Sequence, residues 1–570
     1  MASPPPSDFS ASSSSSSGSS SSKRPIDPVL RNALRYTVSP KEYELLHQYL
    51  ISRSSAVQRR TPKPRRYEAI VKSSNEDSVA SVRASLRVLV TTYTGLKAWE
   101  AISKRFFEKE QTRGASPAKA SGPRNANLRV SASFSLILLF HRLLFRFLLR
   151  LRASLLESSA RPFRQRNPRI ALALTSRYTP AIGASLAGFF LAVSPSSQLR
   201  LSIAIYAFTR ALEFAYNAAE EKGVWGKNGK PDWVGSWMIM PFACGQLLHA
   251  FVFDRDCFPE SYGRFILKRS PEYIQQKPAG FPTGKKWPAT FDIVDGLAEI
   301  SRLHWPPFTS PILFPTAKTP LPASLTTLTT ITSTAHPAIT ATSCALLHPH
   351  DPSCTRTYLK YHLTAFPSTA RFFTLIYGVF ALLNYRAFLT SPSKTLNALA
   401  ARILRISLFV TAAIGSAWGS ICLFATYLPR HTLATQRWFL GGFVAGLWAF
   451  VARRGERANF LYSARLSVDC LWKVGVKRGW WRKGRGGDVL VFVASLALVG
   501  SVYEGVPGAV RGGAVRKAVG VLRGEGWVDR AATVGGVEDG QEDAGEGMDL
   551  GDLGRERERE SGKEGEQERE

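Results

Sequence analysis

The sequence predicts an all-α fold: a polytopic helical membrane protein built from two related helical halves, with disordered termini. Three observations predict it. Long apolar blocks run without charge, basic residues crowd the segments beside them, and the pattern of blocks occurs twice. In 570 residues, 45% hydrophobic and 11% aromatic, there is too much apolar side chain for a wholly disordered chain. Six cysteines are too few for a disulfide-dense secreted scaffold. The mean hydropathy of −0.08 averages very polar ends with very apolar blocks.

Residues 1–60 read as a mostly disordered Ser/Pro-rich head with one short helix. The serine run before Ser22 has nothing to bury and lacks the pattern of a secretory signal. The helix is signalled by Ser39-Pro40-Lys41-Glu42, a capping box with proline at the first helical position. Residues 61–257 form the expected first membrane half. A span needs ~20 mostly apolar residues, and Tyr178–Leu199 and Trp233–Phe253 supply charge-free stretches of about that length. Ser133–Leu149 is rich in Leu and Phe yet holds His141, Arg142 and Arg146, so it is expected to lie along the interface or to span with snorkelling bases. Residues 258–366 form a Pro/Thr/Cys/His-rich connecting region that resists continuous helix.

Residues 367–510 make the second membrane half. Ile406–Leu428 is its clearest span, and Phe372–Tyr385, Trp438–Ala452 and Val489–Val502 are shorter blocks. Residues 511–570 read as a basic, then acidic, disordered tail; from Glu538 onward it carries 14 acidic and 5 basic residues. The net charge of +31 gathers beside apolar blocks, at Arg150, Arg152, Arg161, Arg164, Arg166 and Arg169 and again from Lys473 to Arg485. That placement suits anionic headgroups. No nucleic-acid module accompanies it, so the expected partner is the bilayer and not nucleic acid.

The repeat is carried by single residues. Arg87 and Tyr93 match Arg371 and Tyr377, the segment Gly183–Ala187-Gly188 matches Gly441-Gly442–Ala445-Gly446, and, with a small gap, Arg200, Tyr206 and Arg210 match Arg457, Tyr462 and Arg465. Trp225-Gly226 and Gly479-Trp480-Trp481 then precede the last apolar block of each copy. Two related halves packed about a pseudo-two-fold axis are common in transporters. Gly415 and Gly419, like Gly442 and Gly446, have the small-xxx-small spacing that lets helices approach. Packing inside the bundle is the expected role of these four and of Gly183 and Gly188, with homo-oligomer contact or other membrane proteins as the alternative.

One chemical constellation stands out, Cys344-Ala-Leu-Leu-His348-Pro-His350-Asp-Pro-Ser-Cys354. Cys344, His348, His350 and Cys354 are the right ligand types for tetrahedral zinc, but the spacing is not that of a standard finger. A Cys344–Cys354 disulfide and a turn with free thiols are the other readings, and Cys257 could join either arrangement. Cys244, Cys422 and Cys470, in or beside apolar helices, read as packing residues. Arg210 and Arg465 are candidates as intramembrane charges. His304, without an evident partner, reads as a loop residue. No phosphate loop, zinc-protease helix or nucleophile elbow is present, so neither a catalytic residue nor, zinc apart, a cofactor is expected.

These residues resemble a known family. The run from Cys344 to Cys354, Arg371-Phe-Phe, Arg405-Ile-Ser-Leu-Phe, the Gly442 helix, Arg457–Tyr462 and the last apolar block look like the transmembrane protein 135 family, over roughly Val88–Gly512. The glycine helices are more distantly similar to the Tim17/Tim22/Tim23/Pmp24 superfamily. The resemblance implies a non-enzymatic peroxisomal or mitochondrial membrane protein linked with lipid handling and organelle dynamics, or, through the second likeness, a pore or translocase component.

Overall fold

Helices form in the order that the apolar blocks and caps dictate. The computed structural model describes residues 28–73, 76–111, 125–224, 231, 233–278, 281, 287–314, 323–383, 385–482, 484–524 and 527–530. The serine run, the acidic tail and Trp225-Gly226 lie outside the described residues. Among the described residues there is no strand, only an isolated bridge between Pro307 and Ala341.

The chain forms two compact units, 1–112 and 113–570. The first holds α1 (Pro28–Thr37), α2 (Pro40–Tyr49), α3 (Ser55–Arg60), α4 (Pro64–Val71) and α5 (Glu76–Gln111). The capping box of α2 is formed: Ser39 Oγ accepts from the Glu42 amide at 3.3 Å, and Glu42 accepts from the Ser39 amide at 2.9 Å. Arg87 on α5 donates to the same carboxylate, and Arg83 donates to the Arg35 carbonyl. Tyr67 stacks on Tyr43 at 3.9 Å. The expected joint at residue 60 therefore falls inside this unit, because α5 needs the carboxylate and carbonyls that the head supplies.

The second unit begins with α6 (Ala126–Leu156), α7 (Arg161–Arg166), α8 (Pro168–Thr175) and α9 (Thr179–Ser185), the last running into a 3₁₀ segment at Leu186–Val193. Then come α10 (Ser197–Glu221) and α11 (Ile239–Phe253). The expected span Tyr178–Leu199 does not form. Pro195 pushes Ser194 to φ −64°, ψ 126° and ends the helix there. The connecting region carries α12 (Glu260–Lys268), α13 (Thr290–Arg302), α14 (Thr329–Thr332) and α15 (Thr342–Leu347). Its side chains share one core with the membrane helices, from Leu247 through Ile293 and Leu346 to Trp418 and Val474. Trp418 Nε1 donates to Ser270 Oγ at 2.8 Å, and Trp305 Nε1 to the Ala434 carbonyl at 2.9 Å.

The second half follows as α16 (Cys354–Leu383), α17 (Tyr385–Thr390), α18 (Pro392–Tyr427), α19 (Arg437–Leu447) with a 3₁₀ turn at Trp448–Phe450, α20 (Arg457–Lys477), α21 (Gly487–Gly505) and α22 (Gly513–Arg523). Pro367 does not delay the helix; it lies inside α16. A proline costs one backbone bond, here the one to the Leu363 carbonyl, a loss that membrane helices tolerate. Buried Arg437 donates to the Phe424 carbonyl at 3.3 Å and the Leu428 carbonyl at 3.4 Å, capping the C-terminus of α18.

Among the described residues, five helical stretches are long and apolar enough to cross a membrane: Ala126–Leu156, Ser236–Phe253, Cys354–Leu383, Pro392–Tyr427 and Gly487–Gly505. The Cys354–Leu383 helix leaves large apolar side chains uncovered, Leu375 72% and Leu382 77% exposed. An apolar surface of that kind belongs against lipid or a partner, not water. The chain is a polytopic helical membrane protein.

Two expectations for the ends of this unit change. His141 and Arg142 on α6 do not reach toward headgroups. They are buried, and Arg142 donates to the Val521 carbonyl at 2.9 Å while His141 Nδ1 meets the Leu522 carbonyl at 3.2 Å. Those are last-turn carbonyls of α22, which have no partner within their own helix. The segment expected to be tail from residue 511 thus begins as a helix docked on α6, held further by Arg523 to Glu504 at 3.0 Å.

The repeat is visible in element order. A long helix, a shorter apolar helix ending in a 3₁₀ turn, a helix of 21 to 25 residues and a last apolar helix occur as α6, α9, α10, α11 and again as α18, α19, α20, α21. The last helices are exchanged. α11 packs on α19 and α20 of the second half, and α21 packs on α9 and α10 of the first.

Candidate metal centre

Among the described residues, one group of side chains converges as ligands would: Cys344, His348, Cys354 and Cys422, whose ligand atoms all lie within 4.8 Å of one another. The local sequence explains how. Thr342 Oγ1 donates to the Pro306 and Pro307 carbonyls, anchoring α15, and residues 342–347 are all buried. Cys344 therefore faces inward. After α15 the chain turns through His348-Pro349-His350-Asp351, closed by the Asp351 amide on the His348 carbonyl at 3.3 Å. Proline suits the second position of such a turn. Asp351 Oδ1 then accepts from the Ser353 amide at 2.9 Å, and α16 starts at Cys354. That sulfur sits at the positive end of a long helix, where a thiolate is favoured. Cys422 arrives from near the C-terminal end of α18, which lies beside α16.

The geometry is close. Cys344 Sγ and Cys354 Sγ are 3.8 Å apart, and Cys422 Sγ is 3.4 Å from His348 Nε2. His348 Nδ1 lies 2.7 Å from the Asp351 carbonyl. A carbonyl only accepts, so Nδ1 carries a proton and Nε2 faces the sulfurs. Burial works against a charged His348, but the Cys344 and Cys354 sulfurs and the Asp351 carbonyl outweigh it and push the imidazole up to about 10.

His350 is not part of it. It occupies the third position of the turn and points outward, exposed. The fourth converging residue is Cys422, which the sequence presents only as a packing cysteine in an apolar helix. The missing signal is the hairpin of α16 and α18: two long helices side by side bring the end of one opposite the start of the other. All six cysteines are free thiols, and Cys257 is buried apart from the cluster. His304, at φ +59°, lies 4.9 Å from His431 between ring centres.

Two further polar groups lie inside the helical halves. Between α10 and α20, Glu213 accepts from Arg210 at 3.0 Å and is ion-paired with Arg457 at 3.2 Å. Arg465 donates to Thr209 at 2.9 Å and lies over the Tyr206 ring at 4.7 Å. Arg210 and Arg465, the two candidates as intramembrane charges, thus belong to one cluster. The second group centres on buried Glu456, which binds Arg402 at 2.7 Å and Tyr377 Oη at 3.2 Å.

All six glycines assigned to packing from sequence meet other helices or segments of this chain. A Cβ on Gly442 would fall on the Cys244 carbonyl and 2.8 Å from Gly245 Cα; one on Gly446 would lie 2.6 Å from Pro241 N. Gly415 and Gly419 admit the rings of Tyr361 and Tyr358, Gly183 admits Leu148, and Gly188 faces Val493. Where α21 closes on the first half, an apolar cavity of about 730 Å³, open to the outside, is lined by Leu144 and Leu148 and by the exposed side chains of Phe147, Ile182 and Leu186.

Searches against protein-family models, curated proteins and solved structures find no match to this chain.

Proposed function

We propose that this chain is a non-enzymatic organelle membrane protein of the transmembrane protein 135 type, acting in lipid or metabolite homeostasis or organelle dynamics by transport or scaffolding. The observation that carries the reading is the exchange of α11 and α21 between two related halves. Repeated halves meeting along a shared seam are the common ground plan of membrane transporters. The lipid part of the reading rests on the apolar cavity beside α21, whose wall of Leu, Ile and Phe suits an acyl chain. The peroxisomal membrane is the proposed location and a mitochondrial membrane the alternative, with anionic headgroups met by the basic segments.

A second reading, a Tim17-like pore or translocase component, is favoured by one observation: the backbone contact of Gly442 and Gly446 with α11. Fractionating cells that express the tagged protein, with carbonate extraction of the peak fraction, tests both. Carbonate-resistant protein co-migrating with a peroxisomal marker is the expected outcome. Co-migration with a mitochondrial inner-membrane marker, together with solute flux in liposomes, moves the assignment to the second reading. Release by carbonate sinks both.

A further inference from the structure

We infer that Cys344, His348, Cys354 and Cys422 form a structural zinc site that fastens the connecting region to the second membrane half. The inference is independent of the transport or scaffolding reading. Zinc takes thiolate sulfur at about 2.3 Å and imidazole nitrogen at about 2.0–2.1 Å in a tetrahedron. Such a tetrahedron has sulfur–sulfur edges of about 3.8 Å and sulfur–nitrogen edges of about 3.6 Å. The Cys344–Cys354 edge is 3.8 Å and the Cys422–His348 edge 3.4 Å. Two edges therefore already have about the length of the ion's coordination shell, and all four ligand atoms lie within 4.8 Å of one another.

Three features make the set more than a chance meeting of cysteines. The first is chemistry: three sulfurs and one imidazole are a closed zinc set, and soft sulfur selects zinc over calcium or magnesium. The second is the outer partner. A zinc-binding histidine donates its remaining N–H to a carbonyl or carboxylate, and His348 Nδ1 does so to Asp351 at 2.7 Å, leaving Nε2 toward the sulfurs. The third is burial. Cys344, His348 and Cys422 are each less than a tenth exposed. Four protein ligands leave no position for water or substrate, which is the mark of a structural and not a catalytic site. Binding is a substitution without redox change: Zn²⁺ enters, the three sulfurs bind as thiolates and His348 through a neutral Nε2, and whatever protons the thiols and the imidazole carried leave to solvent.

The site joins the α15 turn, the first residue of α16 and the end of α18, which no disulfide ties together among the described residues. Ions at such places contribute directly to folding. Removing the ion is expected to loosen the connecting region from the helices while leaving the spans in the membrane.

The test uses the full-length protein purified in detergent without a metal-affinity resin, with metal measured by mass spectrometry. About one zinc per chain is expected, retained in His350→Ala and lost in Cys422→Ser. If Cys422→Ser fails to accumulate, cobalt exchanged into the unaltered protein decides: intense thiolate-to-cobalt charge transfer with the visible bands of tetrahedral cobalt supports the site. Three results overturn the inference: metal-free protein with reactive thiols at these positions, a Cys344–Cys354 disulfide in the peptide map, or loss of zinc in His350→Ala with retention in Cys422→Ser.

Discussion

Gly442 and Gly378 both sit in apolar helices of the second half, yet a methyl group added to each should act in opposite directions. Gly378, in the C-terminal part of α16, has nothing within 4 Å of where its Cβ would be. There Gly378→Ala only reduces backbone freedom and should stabilise by up to about 1 kcal/mol. Gly442 touches backbone on α11, and backbone cannot rotate aside as Leu148 can from Gly183. Gly442→Ala should cost about 1–3 kcal/mol through overpacking. Thermal unfolding in detergent reads both, and equal shifts for the two variants would remove the distinction. At this scale the sequence showed which residue types mattered but not always which copy. Cys344, His348 and Cys354 are legible because they are near neighbours in sequence. Cys422 is not, since its approach depends on two long helices aligning. His350 misled for the opposite reason, being close in sequence and turned away by Pro349.

Elements were most legible where length and caps agree. The α2 capping box and the spans at α18 and α21 formed as the sequence predicts, because local signals and burial point the same way. The failures are equally physical: Pro195 cut a block whose composition alone looked long enough, and Arg142 found helix-end carbonyls instead of headgroups. Charged residues inside apolar elements thus had partners that no local pattern reveals. The join of α16, α18 and α20 through Glu456 is the sharpest case. Glu456 is 1% exposed and accepts from Arg402, the Tyr377 hydroxyl and the Asn459 side-chain amide. Arg402→Ala leaves a buried carboxylate without its counter-charge and should destabilise by about 3 kcal/mol. The double variant Arg402→Met with Glu456→Gln removes the charge as well and should recover most of the loss. A double variant no more stable than Arg402→Ala would show that the arginine acts through packing alone.

For the whole molecule, the repeat was readable as a list of matched residues, but the exchange of last helices was not, because sequence similarity is blind to which copy a helix packs against. The exchange has a direct consequence. If α21 covers the first half, a Cβ on Gly500 lies 3.0 Å from the Ala181 Cβ. That is slightly short of the ~3.5–4.5 Å of a disulfide, a gap that a small shift of α21 closes. The pair Ala181→Cys with Gly500→Cys should therefore oxidise readily in the membrane-embedded protein and yield a linked peptide joining the two halves. An unexchanged arrangement would instead place α11 beside α9, so Ala181→Cys with Gly245→Cys is the counter-test. In the exchanged fold Gly245 is occupied by Phe439 of α19, whose carbonyl lies 2.9 Å from its Cβ position, and this second pair should not link. Linkage of 181 to 245 without linkage of 181 to 500 would dissolve the seam on which the transport or scaffolding reading rests. Linkage of 181 to 500 alone would make each half the necessary cover of the other, so that neither folds on its own.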